Sequence, residues 1–301
     1  MCARICLGTA QLGMDYEIFP KYGKPSKKDT FEILDTALQN GIEYIDTAQA
    51  YGNAEELLGE YGINRYKINV ITKVMPNTFK NNRPPKHREL INMTKKSLDK
   101  MKIDKLYGLL LHTPNDLYNR KLIEQLVELK DEGLVDGIGV SVYHSIDACN
   151  ALEKDVIDII QMPYSVFDQR AKQEYILSSA NIPGIEMHIR SIFLKGILTR
   201  SPYEMPYEII KPINSDLIRF EKIIEKYGFS KQEACFLFAL TNPDIDVAVF
   251  GVHTKKQLLE NIEMSKLKTG FGFCRRELIK TFGNRARMIP SLWANPEGVA
   301  K

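Results

Sequence analysis

Eight short apolar runs, each followed by a segment with helical spacing, constrain this chain more than any other feature of its sequence. The runs are residues 4–7, 42–45, 68–72, 106–111, 135–140, 156–160, 185–189 and 247–250. The helical segments are residues 29–40, 55–61, 87–101, 117–131, 146–152, 171–179, 216–227 with 231–240, and 254–264. Strands that alternate with helices form parallel sheets, and eight such units predict an α/β fold of the (β/α)8 TIM barrel type. An open doubly wound sheet is the competing architecture, but no GxGxxG follows the first run.

We expect a single domain over residues 1–301, because no stretch of linker composition divides the chain. Residues 273–301 follow the last barrel helix, and we expect this tail to cap one end of the barrel. Hydrophobic residues make up 44% of the chain and charged residues 26%, as in ordinary globular proteins. The net charge of +3 is small and its charges are interleaved, so the sequence gives no reason to expect a nucleic-acid partner.

The cysteines predict free thiols in a reducing compartment. Their number, 5, is odd, and neither a CxxC pair nor a zinc-finger spacing is present, so we expect no metal site. The longest apolar runs fall far short of the roughly 20 residues that span a membrane. We therefore expect a cytoplasmic location and no membrane partner.

Four polar side chains follow three successive predicted strands. Asp46 ends the second strand and Tyr51 lies on the loop beyond it, Lys73 ends the third strand, and His112 ends the fourth. The carboxyl ends of barrel strands converge on one mouth, so these side chains can meet. Taken alone, Asp46 and Tyr51 fit a structural role as well as a chemical one. In the structural role, Asp46 helps to form a turn and the Tyr51 ring packs over it.

The chemistry of these four groups fits protonation of an oxygen that gains negative charge. A phenol has a reference pKa of about 10, and a nearby ammonium such as Lys73 is expected to lower it, which makes Tyr51 a better general acid. Asp46 would keep Lys73 charged and oriented, and His112 can donate a hydrogen bond to a carbonyl oxygen. Carbonyl reduction is such a reaction, but its hydride must come from a cofactor.

The other strand ends offer a place for that cofactor. Ser141 and Gln161 are polar and uncharged, which suits a carboxamide. The loops after strands seven and eight are where barrels often bind phosphate. They contain Arg190, Ser191, Lys195 and Gly196, and then Gly251, His253, Thr254, Lys255 and Lys256, which open a helix. Each of these residues alone is typical of an ordinary loop, but together they predict a dinucleotide stretched across the mouth.

The ordered motifs resemble those of the aldo-keto reductases. They are LGTAQLG at the first strand, GIEYIDTAQAYGNAEELLG at the second, ITK at the third, LLLHTP at the fourth, GIGVSVY at the fifth and GVHTKKQLLENI after the eighth. The resemblance implies a catalytic tetrad of Asp46, Tyr51, Lys73 and His112, with Tyr51 as the acid and hydride from nicotinamide C4. It implies cofactor contacts from Gly8, Thr9, Ala10, Ser141, Gln161, Arg190, Ser191, Gly196, Gly251, His253, Lys255, Gln257, Glu260 and Asn261.

Three residues depart from the family pattern. Val142 stands where the family usually has Asn after Ser, which removes one carboxamide contact. Arg190 stands where many members stack a Tyr on the nicotinamide, and it adds charge near the ring. His253 stands where many members clamp the 2′-phosphate with Arg, with Lys255 two positions on. NADPH is therefore the expected cofactor, with NADH as the alternative.

The predicted function is NAD(P)H-dependent reduction of a small-molecule aldehyde or ketone to an alcohol. Tyr16, Phe19, Tyr143 and Tyr164 are expected to shape the substrate pocket, and this mix of rings and hydroxyls suits a sugar-like carbonyl compound. A cofactor-binding regulatory or redox-sensing barrel with little turnover is the alternative, because Val142 and Arg190 alter the nicotinamide site. Lyase or isomerase chemistry lacks a metal cluster or a phosphate-sugar signature. A monomer and a dimer are both compatible with the sequence.

Overall fold

The computed structural model describes residues 3–16, 23–173, 176–179, 184–266 and 270–283. Within them, a closed barrel forms with the strand order β1-β2-β3-β4-β5-β6-β7-β8, every neighbouring pair being parallel. The strands are β1 (Arg4–Gly8), β2 (Tyr44–Asp46), β3 (Asn69–Lys73), β4 (Leu106–Leu111), β5 (Val135–Ser141), β6 (Ile159–Pro163), β7 (Glu186–Arg190) and β8 (Val247–Gly251). The predicted (β/α)8 barrel is confirmed.

Helices cover the outside of the barrel. They are α1 (Ala10–Gly13), α2 (Lys27–Gln39), α3 (Ala54–Tyr61), α4 (Glu89–Met101), α5 (Arg120–Asp131), α6 (Ser145–Leu152), α7 (Arg170–Gln173), α8 (Ile176–Ser179), α9 (Tyr207–Ile210), α10 (Asn214–Lys226), α11 (Lys231–Leu240), α12 (Lys255–Lys266) and α13 (Gly272–Phe282). Short 3-10 turns occur at Ile63–Arg65, Lys80–Asn82, Pro114–Tyr118, Leu194–Thr199 and Pro202–Glu204. The helices follow the strands in the order that the sequence predicts.

Alternating strand residues build two apolar layers. The larger one lies between sheet and helices, where Leu7 and Ile45 pack with Ile33 and Leu34 of α2. The smaller one fills the barrel and consists of Cys6, Tyr44, Ile71, Leu110, Ile159, Val247 and Val249. The barrel interior is therefore a packed core, and the predicted site residues lie at the carboxyl ends of the strands.

The sixth strand was predicted too early, at residues 156–160, whereas β6 runs from Ile159 to Pro163. The cause is Asp158, whose carboxylate accepts the Ile138 backbone N–H at 2.8 Å and the Lys130 ammonium at 2.8 Å. These bonds hold the chain in a turn before the strand begins. The later start moves Gln161 from the end of the strand into it.

The predicted capping tail is described only in part. Its described portion belongs to α13, and the Phe282 ring lies 4.7 Å from the Phe167 ring beyond β6. Residues 284–301 lie outside the description, so the cap stays a prediction. In the described chain, no helix is long and apolar enough to cross a membrane.

Candidate active site

Asp46 and Lys73 form a buried ion pair at the barrel mouth. Asp46 ends β2 and Lys73 ends the neighbouring strand β3. The Lys73 ammonium donates to Asp46 Oδ1 at 2.6 Å and to the Thr47 carbonyl at 2.9 Å, and the two side chains are 0% and 4% exposed. Gln161 donates its Nε2 to Asp46 Oδ2 at 2.7 Å. Both carboxylate oxygens are thereby engaged, which fixes the position of Lys73.

A close approach of two backbone segments places Tyr51 beside this pair. Gly52 has φ +56°, and a Cβ there would lie 2.2 Å from the Gly13 carbonyl oxygen. A Cβ on Gly13 would in turn lie 1.9 Å from the Tyr51 carbonyl oxygen, so only glycine fits at both positions. The Tyr51 hydroxyl accepts from Lys73 Nζ at 3.5 Å, and the ammonium lies 5.0 Å from the ring centroid.

The pKa of Tyr51 is raised, so the expectation that Lys73 lowers it was wrong. Burial is the largest cause and the charge of Asp46 adds to it, while the charge of Arg190 opposes both. Lys73 does not produce the expected shift because its own charge is compensated by Asp46 at 2.6 Å. The phenol is consequently protonated across the neutral range and holds a proton that it can donate.

His112 completes the group as a neutral imidazole. Its ring centroid lies 6.1 Å from that of Tyr51 in an edge-on arrangement. Burial lowers the pKa of His112 to about 3, with further lowering from the charges of Lys73 and Arg190. Its Nδ1 atom is buried and has no hydrogen-bond partner among the described residues. A neutral imidazole carries one N–H and one acceptor nitrogen, so His112 can orient a carbonyl oxygen without being charged.

Arg190 at the end of β7 lies on the β5 side of the mouth. Its Nε donates to Ser141 Oγ at 3.3 Å and its Nη2 to the Val142 carbonyl at 3.1 Å, while the guanidinium lies 4.3 Å from the centroid of the Tyr143 ring. Ser141 itself donates to Gln161 Oε1 at 3.4 Å. The Val142 side chain is fully buried in the apolar core and offers no polar contact.

A pocket of about 960 Å³, open solvent included, runs from these groups to helix α12. The predicted site residues that line it are Gly8, Ala10, Tyr16, Asp46, Tyr51, Arg190, Ser191, Gly196, Gly251, His253, Gln257 and Asn261. Residues from β1, β2, β7, β8 and α12 thus line one pocket.

The far end of this pocket has features that fit the adenosine end of a dinucleotide. Asn261 Oδ1 is buried there, and no described residue donates a hydrogen bond to it. The Gln257 side chain accepts the His253 backbone N–H at 2.8 Å, and α12 directs its amino end toward the same region. An acceptor without a partner can accept a hydrogen bond from an amino group of a ligand, and the amino end of a helix favours binding of a phosphate. The donors and acceptors present therefore fit a nicotinamide dinucleotide.

Other predicted residues lie beside or away from the pocket wall. Thr9 is buried, and its Oγ1 donates to the Asp46 carbonyl at 3.1 Å. Lys255 and Glu260 are exposed on α12, where Glu260 pairs with Lys256 at 3.9 Å. Phe19 falls outside the described residues.

Tyr164 requires a correction, because its ring is fully buried and stacks on Phe238 of α11 at 5.3 Å between centroids. Tyr164 follows β6 but its side chain points outward into the layer between sheet and helices. It is therefore a core residue and does not line the mouth.

Gln11 is a pocket residue that the sequence interpretation did not single out. Its side chain lies on Gly251, where a Cβ would be 2.0 Å from Gln11 Oε1. A ligand on Gly251 must therefore displace the flexible end of Gln11 or bond with it. The signal was its position within LGTAQLG, directly after Ala10. Phe193, Thr199 and Gln232 also line the pocket.

The fold and the mouth define a barrel enzyme, and comparisons with known proteins establish its family. The sequence model of the Aldo/keto reductase family matches residues 4–269. The chain is 28% identical over 284 residues to aldo-keto reductase YhdN of Bacillus subtilis, covering 85% of this chain and 83% of YhdN. It is 27% identical over 259 residues to the uncharacterized oxidoreductase YqkF of the same organism, covering 80% of this chain and 84% of YqkF.

A solved structure shares the fold. The holo form of aldo-keto reductase AKR11C1 from Bacillus halodurans matches with a TM-score of 0.72 at 20% identity, covering 95% of this chain and 93% of that one. This chain belongs to the aldo/keto reductase family. It is accordingly an oxidoreductase of a family that acts on small carbonyl compounds with nicotinamide cofactors.

Proposed function

We propose that this protein reduces an aldehyde or ketone to an alcohol, with NADPH as the hydride donor and Tyr51 as the general acid. The observation that carries the proposal is the contact of a protonated phenol with a buried Lys73–Asp46 pair at the mouth of a pocket that continues to α12. A bound nicotinamide would supply the hydride from C4 to the carbonyl carbon.

The residues of the mouth would supply and control the proton. Tyr51 donates its hydroxyl proton to the carbonyl oxygen as negative charge develops there. Lys73, 3.5 Å from the Tyr51 oxygen, stabilises the phenolate that remains, and Asp46 keeps Lys73 charged. The neutral His112 orients the substrate oxygen. One hydride and one proton are thus added, and the product is the alcohol.

We assign the other residues of the site to separate parts of the cofactor. Ser141 and Gln161 would hold the carboxamide, Ser191 and Gly196 the pyrophosphate, and Asn261 the adenine. Lys255 is exposed at the start of α12 and is the cation we assign to a 2′-phosphate, which favours NADPH over NADH. Tyr16 and Tyr143, at the rim, would face a sugar-like carbonyl substrate. Buried free thiols at Cys6, Cys235 and Cys274 favour a cytoplasmic enzyme.

A regulatory barrel with little turnover is the second candidate. Val142 offers no polar group to a carboxamide, and Arg190 brings a charge to the ring site. Such a protein would bind the cofactor and reduce carbonyl compounds slowly or not at all.

A titration with NADPH and NADH tests the cofactor assignment, with the nucleotide fluorescence as readout. We expect Lys255→Ala to weaken NADPH binding by about tenfold and to leave NADH unchanged, because one phosphate contact is lost. Lys256→Ala is the matched control, since Lys256 is the next residue and is also exposed. Failure of wild-type protein to bind either nucleotide would overturn the reductase assignment.

A substrate panel then separates the two candidate functions. Wild-type protein should oxidise NADPH with hydroxylated, sugar-derived aldehydes, and Tyr51→Phe should bind NADPH normally without doing so. Turnover with apolar aldehydes alone would refute the sugar-like substrate. Tight binding without turnover on any carbonyl compound would support the regulatory barrel.

A further inference from the structure

Arg190 is a cation in the part of the pocket that also holds Tyr51. Its hydrogen-bond and ring partners among the described residues are all neutral groups. Its guanidinium donates to the hydroxyls of Ser141 and Ser191 at 3.3 and 3.4 Å and to the Val142 carbonyl at 3.1 Å, and it stacks on Tyr143. Asp46, the carboxylate in the same pocket, is already paired with Lys73. The positive charge of Arg190 therefore faces the pocket without compensation by a described carboxylate.

This charge acts at the reacting centre. It is among the causes that lower the pKa of His112, and it opposes the raised pKa of Tyr51. Arg190 and Tyr51 also line the same pocket. The guanidinium is consequently close enough to influence any charge that forms beside the Tyr51 hydroxyl.

The reacting ring must lie between these two residues. Tyr51 can protonate a carbonyl oxygen only within hydrogen-bond reach, and the hydride donor atom must lie about 3 to 3.5 Å from the carbonyl carbon. The ring is therefore confined to the part of the pocket that Tyr51, Arg190 and Ser191 share. A planar ring there can lie against the planar guanidinium.

The charge of that ring changes during the proposed reaction. A reduced nicotinamide ring is neutral, and loss of hydride leaves a pyridinium cation. A fixed guanidinium beside the ring repels the cation and has no such effect on the neutral form. The two oxidation states of the cofactor should therefore differ in affinity.

We propose that Arg190 makes this protein bind the reduced cofactor more tightly than the oxidised one. The inference rests on the proposed reductase function and adds a role for a residue of its cofactor site. It implies rapid release of the oxidised cofactor and weak inhibition by it. The same charge raises the reduction potential of the bound cofactor, so faster release comes with a less favourable hydride step.

The size of the effect follows from Coulomb's law with an assumed separation of about 5 Å between the two charges. Two unit charges about 5 Å apart in a partly desolvated site alter an equilibrium constant by a few hundredfold before screening. Salt and side-chain motion reduce this, so we expect a change of about ten- to a hundredfold in the affinity ratio of oxidised to reduced cofactor.

The test measures dissociation constants of NADP⁺ and NADPH for wild type, Arg190→Gln and Arg190→Lys. Arg190→Gln should shift the ratio by about ten- to a hundredfold in favour of NADP⁺, whereas Arg190→Lys keeps the charge and should preserve the wild-type ratio. Lys195→Gln removes a cation that lies 5.0 Å from the Tyr16 ring centroid, and it should change both affinities alike.

Three results would overturn the inference. One is a ratio for Arg190→Gln within about threefold of wild type, with both nucleotides still bound. Another is an equal shift of the affinity ratio in Lys195→Gln. That result would mean that the ratio depends on the total charge of the pocket and not on a charge beside the ring. Absence of binding by wild type would overturn the reductase function as well, so that failure is distinct from the first two.

Discussion

Replacing Asp46 with Asn should strongly destabilise the protein, because it leaves the Lys73 ammonium buried without a counter-charge. Asp46 accepts from Lys73 at Oδ1 and from Gln161 at Oδ2, so both of its oxygens face donors. An Asn side chain has one oxygen and one amino group. With Gln161 in its present orientation, one donor then faces another donor whichever way the Asn side chain turns.

The expected cost is about 3 to 5 kcal/mol in free energy of unfolding at pH 7, the range for removing one partner of a buried ion pair. The side chains are 0% and 4% exposed, so solvent screening is slight.

Urea unfolding, followed by circular dichroism, measures this cost. The control is Glu60→Gln, which breaks the exposed Lys27–Glu60 pair at 2.8 Å and should cost less than about 1 kcal/mol. Asp46→Asn combined with Lys73→Met should recover most of the loss, since no charge is then buried. A cost for Asp46→Asn within about 1 kcal/mol of the control, or no recovery in the double variant, would refute the reasoning.

Three further predictions concern pH and the backbone. Because the pKa of His112 is lowered to about 3, its NMR titration should show no protonation between pH 5 and 8, and a midpoint near 6.5 would contradict a buried neutral imidazole. Burial raises the pKa of Asp116 to about 6, so ionisation of this carboxyl destabilises the fold as the pH rises. Asp116→Asn should therefore unfold at a higher temperature than wild type at pH 7 but not at pH 4. The same difference in unfolding temperature at both pH values would refute this prediction. Lys102 ends α4 with φ +56°, so Lys102→Gly should stabilise by about 0.5 to 1 kcal/mol, whereas Lys96→Gly within the helix should destabilise.

The barrel could be predicted because the periodicity of apolar residues marks its strands and helices, and glycines mark where several of them end. β4 has the predicted bounds, and α11 begins and ends at Lys231 and Leu240 as expected. The start of β6 was predicted too early because the first three residues of the apolar run 156–160 precede the strand. Apolar periodicity could not show that the Asp158 carboxylate holds the chain in a turn there.

The mouth could be predicted in its membership but not in its electrostatics. Position at strand ends and motif order brought together Asp46, Tyr51 and Lys73. The pKa of Tyr51 is raised mainly by burial and then by the charge of Asp46, and both depend on packing distances that the sequence does not show. The sequence also does not show the direction in which a side chain points. Tyr164 and Tyr143 both follow strands, but only the Tyr164 side chain turns into the core.

The most direct measurement traces deuterium from C4 of labelled NADPH to the product of a carbonyl substrate, in wild type and in Tyr51→Phe. The account predicts that wild-type protein transfers the label to the carbinol carbon. Tyr51→Phe should bind NADPH equally well and transfer it about 10² to 10⁴ times more slowly, because the proton donor is lost. Equal transfer rates in the two proteins would contradict the role of Tyr51, and bound NADPH that never passes its label to any carbonyl compound would contradict the reductase function itself.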